Sequence, residues 1–133
     1  MTNVEKLINL MEENPNLPVL PMVDYEIVCG DCGRWMGSFG DSYVGEYALY
    51  DYRYFEDRDE FKDYYYDNNM DELCDRFGYD PAISEYTMKI GRYTKQQLEA
   101  NKANEKVMDD FLDRIANNYF IKAIIVDINM PME

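Results

Sequence analysis

Apolar residues near the start of the chain fall at Val4, Leu7, Ile8 and Met11, the i, i+3, i+4, i+7 spacing of one helical face. Thr2 with Glu5 places a capping box in front of them, so the pattern predicts a helix running to about Asn14. Asn14-Pro15-Asn16-Leu17-Pro18 breaks it, and Leu20 to Val28, rich in Val, Ile and Tyr, predicts a strand. Cys29-Gly30-Asp31-Cys32-Gly33 is the turn that follows. From Arg34 to Phe55, Trp, Tyr, Phe and Val mix with Gly37, Gly40 and Gly45, as in two or three antiparallel strands with glycine turns or bulges, a β-meander.

Asp57 with Glu60 forms a second capping box. Phe61, Tyr64 or Tyr65, Leu73 and Phe77 form the inner face of a helix that ends at Gly78, with Asn68-Asn69 as a point of interruption. The alternation Tyr86, Met88, Ile90 predicts a short strand over 85–90. Thr94 with Gln97 opens a further helix, whose stripe of Leu98, Val107, Phe111, Leu112 and Ile115 runs as far as Asn117. Phe120 to Ile128 holds Ile121, Ala123, Ile124, Ile125 and Val126, apolar enough for a central strand covered on both faces. The expected fold is α+β and a single domain over residues 1–133. An antiparallel sheet, meander plus C-terminal strand, is packed by about three helices, with room for a small zinc-stabilised turn.

Composition narrows what such a fold can do. A chain of 133 residues suits one core that buries roughly two thirds of the unfolded surface. Hydrophobic residues at 47% and aromatics at 15% oppose disorder in spite of a net charge of −14. No apolar run approaches the roughly 20 residues that span a bilayer, and the first residues resemble no secretory leader, so neither secretion nor membrane insertion is expected. The absence of His removes the commonest general base and excludes Ser-His and Cys-His nucleophile pairs. Twenty-seven acids against thirteen bases oppose direct binding to nucleic acid or an anionic membrane and favour a basic protein partner.

Two features carry candidate chemistry. Cys29 and Cys32, three residues apart between glycines, have the spacing with which two thiolates chelate zinc, and Cys74 offers a third. Asp31, Asp71 and Asp75 are carboxylates close by in sequence. Asp71 stands first among them, because at i−3 it shares a helix face with Cys74. Three readings of the cysteines stand open: a structural zinc site, ordinary turn and core thiols, or a redox dithiol. The last is disfavoured because Gly33-Arg34-Trp35 leads into a strand rather than a helix.

The second feature is charge density. Residues 41–80 hold thirteen acids and only four bases, Arg53, Arg58, Lys62 and Arg76, with tyrosines interleaved. Carboxylates among tyrosines can imitate a phosphate backbone and pair with Arg and Lys, or form a solvated face whose rings pack inward. The binding reading centres on Asp57, Asp59, Glu60, Asp63 and Asp67 for charge and on Tyr64, Tyr65 and Tyr66 for contact. Asp67, Asn69 and Asp71 begin like a calcium loop, but Glu72 and Gly78 occupy the positions that need Gly and Glu. No phosphate-binding glycine motif is present.

Leu10-Met11-Glu12-Glu13-Asn14-Pro15-Asn16-Leu17-Pro18, Met22-Val23-Asp24, Trp35-Met36-Gly37-Ser38 and Lys122-Ala123-Ile124-Ile125-Val126 resemble a family of small acidic proteins. That family is carried by phages and mobile elements of low-GC Gram-positive bacteria. It looks like host-defence inhibitors, among them type II anti-CRISPR proteins that bind an RNA-guided effector nuclease and stop it loading or cutting DNA. The resemblance implies a partner class and the host bacterial cytoplasm. It does not carry the zinc pair, because the family's residues at Cys29 and Cys32 are usually acidic or small. The expected function is therefore a non-enzymatic anti-CRISPR inhibitor that binds the basic lobes of a type II CRISPR effector. The alternatives are an antirestriction DNA mimic, a structural or regulatory phage protein, and a carboxylate-only metal-dependent nuclease or hydrolase.

Overall fold

Thr2 opens the first element as expected: its hydroxyl accepts from the Glu5 amide, and α1 runs Asn3–Glu13. The computed structural model that gives this describes residues 1–23 and 36–130. Leu7 and Leu10 of α1 pack on Ile124 and Val126, with Leu17 and Ile128 beside them. Val4, Ile8 and Met11 stay exposed, so α1 rests on a narrower stripe than the periodicity predicts. Lys6 pairs with Asp41 across this body.

The strands are β1 (Val19–Val23), β2 (Ser38–Tyr50), β3 (Arg53–Phe55) and β4 (Ile121–Asn129). The rest of the strand expected up to Val28 lies outside the described residues, as do Cys29, Asp31, Cys32 and Trp35. Pairing follows the order β1-β4-β2-β3. β4 is central, as its apolar run predicts, and Ala123 to Val126 are all buried. Val19 lies opposite Ile124 in a parallel pair, while Val44 and Ser42 face Ile124 and Val126 in an antiparallel one. The sheet is therefore mixed rather than antiparallel. The first strand joins the last, a pairing between distant segments that no local pattern carries.

Of the two or three antiparallel strands expected from Arg34 to Phe55, two form among the described residues. Residues 38–50 form one strand, irregular between Phe39 and Ser42, followed by a single tight turn into β3. Gly45 marks no turn. A Cβ there would meet Ile125 Cδ1 at 2.9 Å and the Tyr43 ring at 3.2 Å, so glycine leaves the space that these two side chains fill.

The described residues pack as two bodies: Met1–Tyr47 with β4, and Ala48–Phe120. The second body contains α2 (Arg58–Asn68), α3 (Met70–Phe77), α4 (Glu85–Lys89) and α5 (Lys95–Tyr119). Asn69 separates α2 from α3, its side chain donating to the Tyr65 carbonyl and the Tyr50 hydroxyl. Gly78 ends α3 in the left-handed conformation (φ 66°). The expected strand at 85–90 is instead the helix α4. Ser84 and Thr87 cap it reciprocally, and these local bonds outweigh a six-residue alternation whose Tyr86 and Ile90 are exposed. Among the described residues five helices thus stand where about three were expected.

α5 has the predicted Thr94–Gln97 box, but its buried line is Leu98, Asn101, Met108, Leu112 and Ala116, and Val107 is exposed. Asn101 turns inward because it ties down the loop after α3. Its Oδ1 accepts from the Asp80 amide at 2.8 Å, and its Nδ2 donates to the Asp80 and Ile83 carbonyls. Two cores result. Phe55, Phe61, Ala116 and Phe120 form one with Tyr50, Tyr64 and Tyr65; Leu73, Met108 and Leu112 form the other with Phe77 and Phe111. No helix of the described residues is long and apolar enough to cross a membrane.

Candidate functional site

The acidic stretch singled out in the sequence is α2 and its approach. Asp57 caps the helix, its carboxylate accepting from the Asp59 amide at 2.8 Å, so its charge also offsets the N-terminal helix dipole. Asp59, Asp63 and Asp67 then stack at i, i+4 and i+8, with Glu60 alongside Asp59, and all four are exposed. Like charges at this spacing repel one another and weaken the helix by a few tenths of a kcal/mol per pair, about 0.2–0.5. No ion pair forms at any of the four among the described residues.

The cations of the same stretch point elsewhere. Lys62 bridges to Asp113 at 2.6 Å and Asp109 at 3.0 Å on α5, and the bond to Asp113 above all raises its pKa from the ordinary lysine value. Arg58 lies 5.0 Å from the centroid of the Phe120 ring and donates to Asn117. Arg53 lies over the rings of Tyr64 and Phe55, and Arg76 over those of Phe77 and Phe111. All four bases of residues 41–80 are thus held against the body's own rings and carboxylates. The α2 carboxylates keep an unneutralised outward face.

The three tyrosines that sequence reasoning assigned to contact are half-buried and take three different directions. Tyr64 packs at a tilt against Phe55 and donates from its hydroxyl to Asp51 at 2.8 Å, a bond that raises its pKa. Tyr65 packs against Tyr50 and Phe61 and touches both cores; burial raises its pKa. Tyr66 lies 3.6 Å from the Cys74 thiol, and burial first, then that thiol, pushes its phenol far above the usual range. Consecutive helix residues are separated by about 100°, so one run cannot present three rings to one partner.

Beside this face a groove of about 980 Å³ runs between α2 and α5. Its apolar lining includes Tyr66, Met70, Tyr79 and Leu112, and Asp59, Asp63, Glu105 and Lys106 line it with charge. Burial, then Glu105, raises the pKa of Tyr79. With Asp109, Lys62 and Lys102 also in the lining, the groove offers apolar contact bordered by four carboxylates and three lysines.

Of the metal ligands expected from the sequence, Cys74 and Asp71 lie on α3, the thiol half-buried against Tyr66 and the carboxylate exposed in the first turn. Cys29 and Cys32 lie outside the described residues. Among the described residues no cluster of three or more Cys, Asp or Glu is placed to hold a metal ion.

Sequence reasoning passed over two residues. Asn101 is polar on an apolar face; the only signal was its place at i+3 from Leu98. Tyr52, at the tip of the β2–β3 turn, is fully exposed and was counted among many tyrosines. Compared with protein-family models, curated proteins and solved structures, the chain matches none.

Proposed function

We propose that this protein is a non-enzymatic anti-CRISPR inhibitor. Through the acidic outer face of α2 it binds a basic type II RNA-guided effector nuclease in the host cytoplasm and keeps target DNA from being loaded or cut. One observation carries the reading: Lys62 is tied to Asp109 and Asp113 and the three arginines of residues 41–80 lie against rings of their own body, while Asp59, Glu60, Asp63 and Asp67 stand exposed with no ion pair among the described residues. A helix that served stability alone would gain from cations at i±4 of these acids, and instead it carries a repulsive stripe. Such nucleases hold their heteroduplex in a positively charged channel. Complementary charge speeds encounter with that surface, and the rigid bracing of α2 presents the carboxylates at fixed spacing.

The test is cleavage of target DNA by a guide-loaded type II effector, with the protein added before or after the DNA. Inhibition confined to addition before DNA is expected, because protein and DNA then compete for one basic surface. Uninhibited cleavage by several such effectors in both orders would overturn the reading.

A further inference from the structure

The β2–β3 turn is built against the usual preference. Tyr50 pairs with Arg53, leaving Asp51 and Tyr52 as a two-residue loop with φ of 53° and 60°. Two left-handed residues suit the twist of a hairpin, and sequences that make such loops favour Asn-Gly or Asp-Gly. Aspartate tolerates the conformation, but a bulky ring at the second position is an outlier. Among the described residues nothing repays the strain at Tyr52: its side chain is completely exposed, at 101% of the reference surface.

Both neighbours of Tyr52 are anchored. Asp51 accepts from the Tyr64 hydroxyl at 2.8 Å, and the Arg53 guanidinium sits 4.9 Å from the Tyr64 ring centroid. Tyr50, one residue further back, packs edge-on to Phe61 and Tyr64. The turn is therefore braced from both sides onto Tyr64 in the middle of α2, with the Tyr52 ring projecting into solvent.

We propose that Tyr52 is the aromatic anchor of the interface, inserting into an apolar cleft within the partner's basic surface while the α2 acids meet the surrounding cations. The identity of that partner rests on the function proposed above. A tyrosine offers a large contact area with few rotatable bonds, and anchors of this kind dominate binding energy at interfaces. Bracing by Tyr64 and Arg53 fixes the turn before the encounter, so little ordering remains to oppose binding. A second copy of this chain is a poor occupant, because each copy carries a net charge of −14.

The experiment compares wild type, Tyr52→Gly, Tyr52→Phe and the triple variant Asp59→Lys/Asp63→Lys/Asp67→Lys. For each, Tm and affinity for a guide-loaded type II effector are measured. Tyr52→Gly removes the strain and no packing, so its Tm should rise by about 3 °C while affinity falls by about tenfold or more. Tyr52→Phe should bind within about threefold of wild type, because the ring supplies the contact. Wild-type affinity in Tyr52→Gly, with binding lost in the triple variant, would overturn the anchor and leave the acidic face standing. Wild type that binds no effector would overturn both. A fall in Tm for Tyr52→Gly, or a dimer of the free protein that this change dissociates, would also overturn the anchor by giving the ring another role.

Discussion

Tyr52 and the run Tyr64 to Tyr66 are the same residue type in the same acidic surroundings, and the structure uses them in opposite ways. The α2 tyrosines are half-buried, each turned toward a different neighbour: the hairpin, the ring core, and the Cys74 side of the second core. Tyr52 is held out by a turn that it makes worse. Backbone geometry makes the difference. A helix distributes consecutive side chains around its axis, whereas the tip of a two-residue hairpin can direct one ring away from everything. Tyrosine content therefore says little about a contact surface until the backbone is known, and the informative tyrosine is the one whose position costs stability.

The comparison breaks first if the inward rings are not the core. Phe61, fully buried, meets Tyr50, Phe55, Tyr65 and Phe120, so Phe61→Ala should lower unfolding free energy in urea by about 3–5 kcal/mol. A loss below about 1 kcal/mol would place the core elsewhere. The direct contrast comes next: Tyr65→Ala should cost about 2 kcal/mol and Tyr52→Ala should stay within about 0.5 kcal/mol of wild type. Equal costs would dissolve the distinction between the two sites. Asp57→Ala removes the α2 cap and should cost about 1 kcal/mol with the ring core intact.

The smallest effect is alkaline. The pKa values of Lys62, Tyr64, Tyr65, Tyr66 and Tyr79 are raised in the folded protein, so the unfolded chain releases these protons first as pH climbs. Their contribution is complete below about pH 10 and is lost progressively above it, which a urea series from pH 8 to 11 reads as a falling midpoint. A midpoint that rises over this range would contradict the inward placement of these groups.

Much of the fold was legible where the signal was local. The caps at Thr2, Asp57 and Thr94, the break at Asn69, the stop at Gly78 and the central strand Ile121–Asn129 all follow from short-range chemistry or from a dense apolar run. The parallel pairing of Val19 with Ile124 was not, because it joins residues more than a hundred positions apart. Asn101 was passed over because its burial follows from three hydrogen bonds to a loop rather than from hydropathy. The outward acids of α2 were legible in composition. That Lys62 and Arg58 turn away from them was not, since it depends on Asp109, Asp113 and Phe120, far along the chain.

The most direct measurement is the affinity of a guide-loaded type II effector for the variant Asp59→Lys/Glu60→Lys/Asp63→Lys/Asp67→Lys, with helix content followed by circular dichroism. Asp57 is left in place so that α2 keeps its cap. The account predicts unchanged helix content and binding weaker than wild type by about a hundredfold or more. Affinity within about twofold of wild type, in a folded variant, would contradict it.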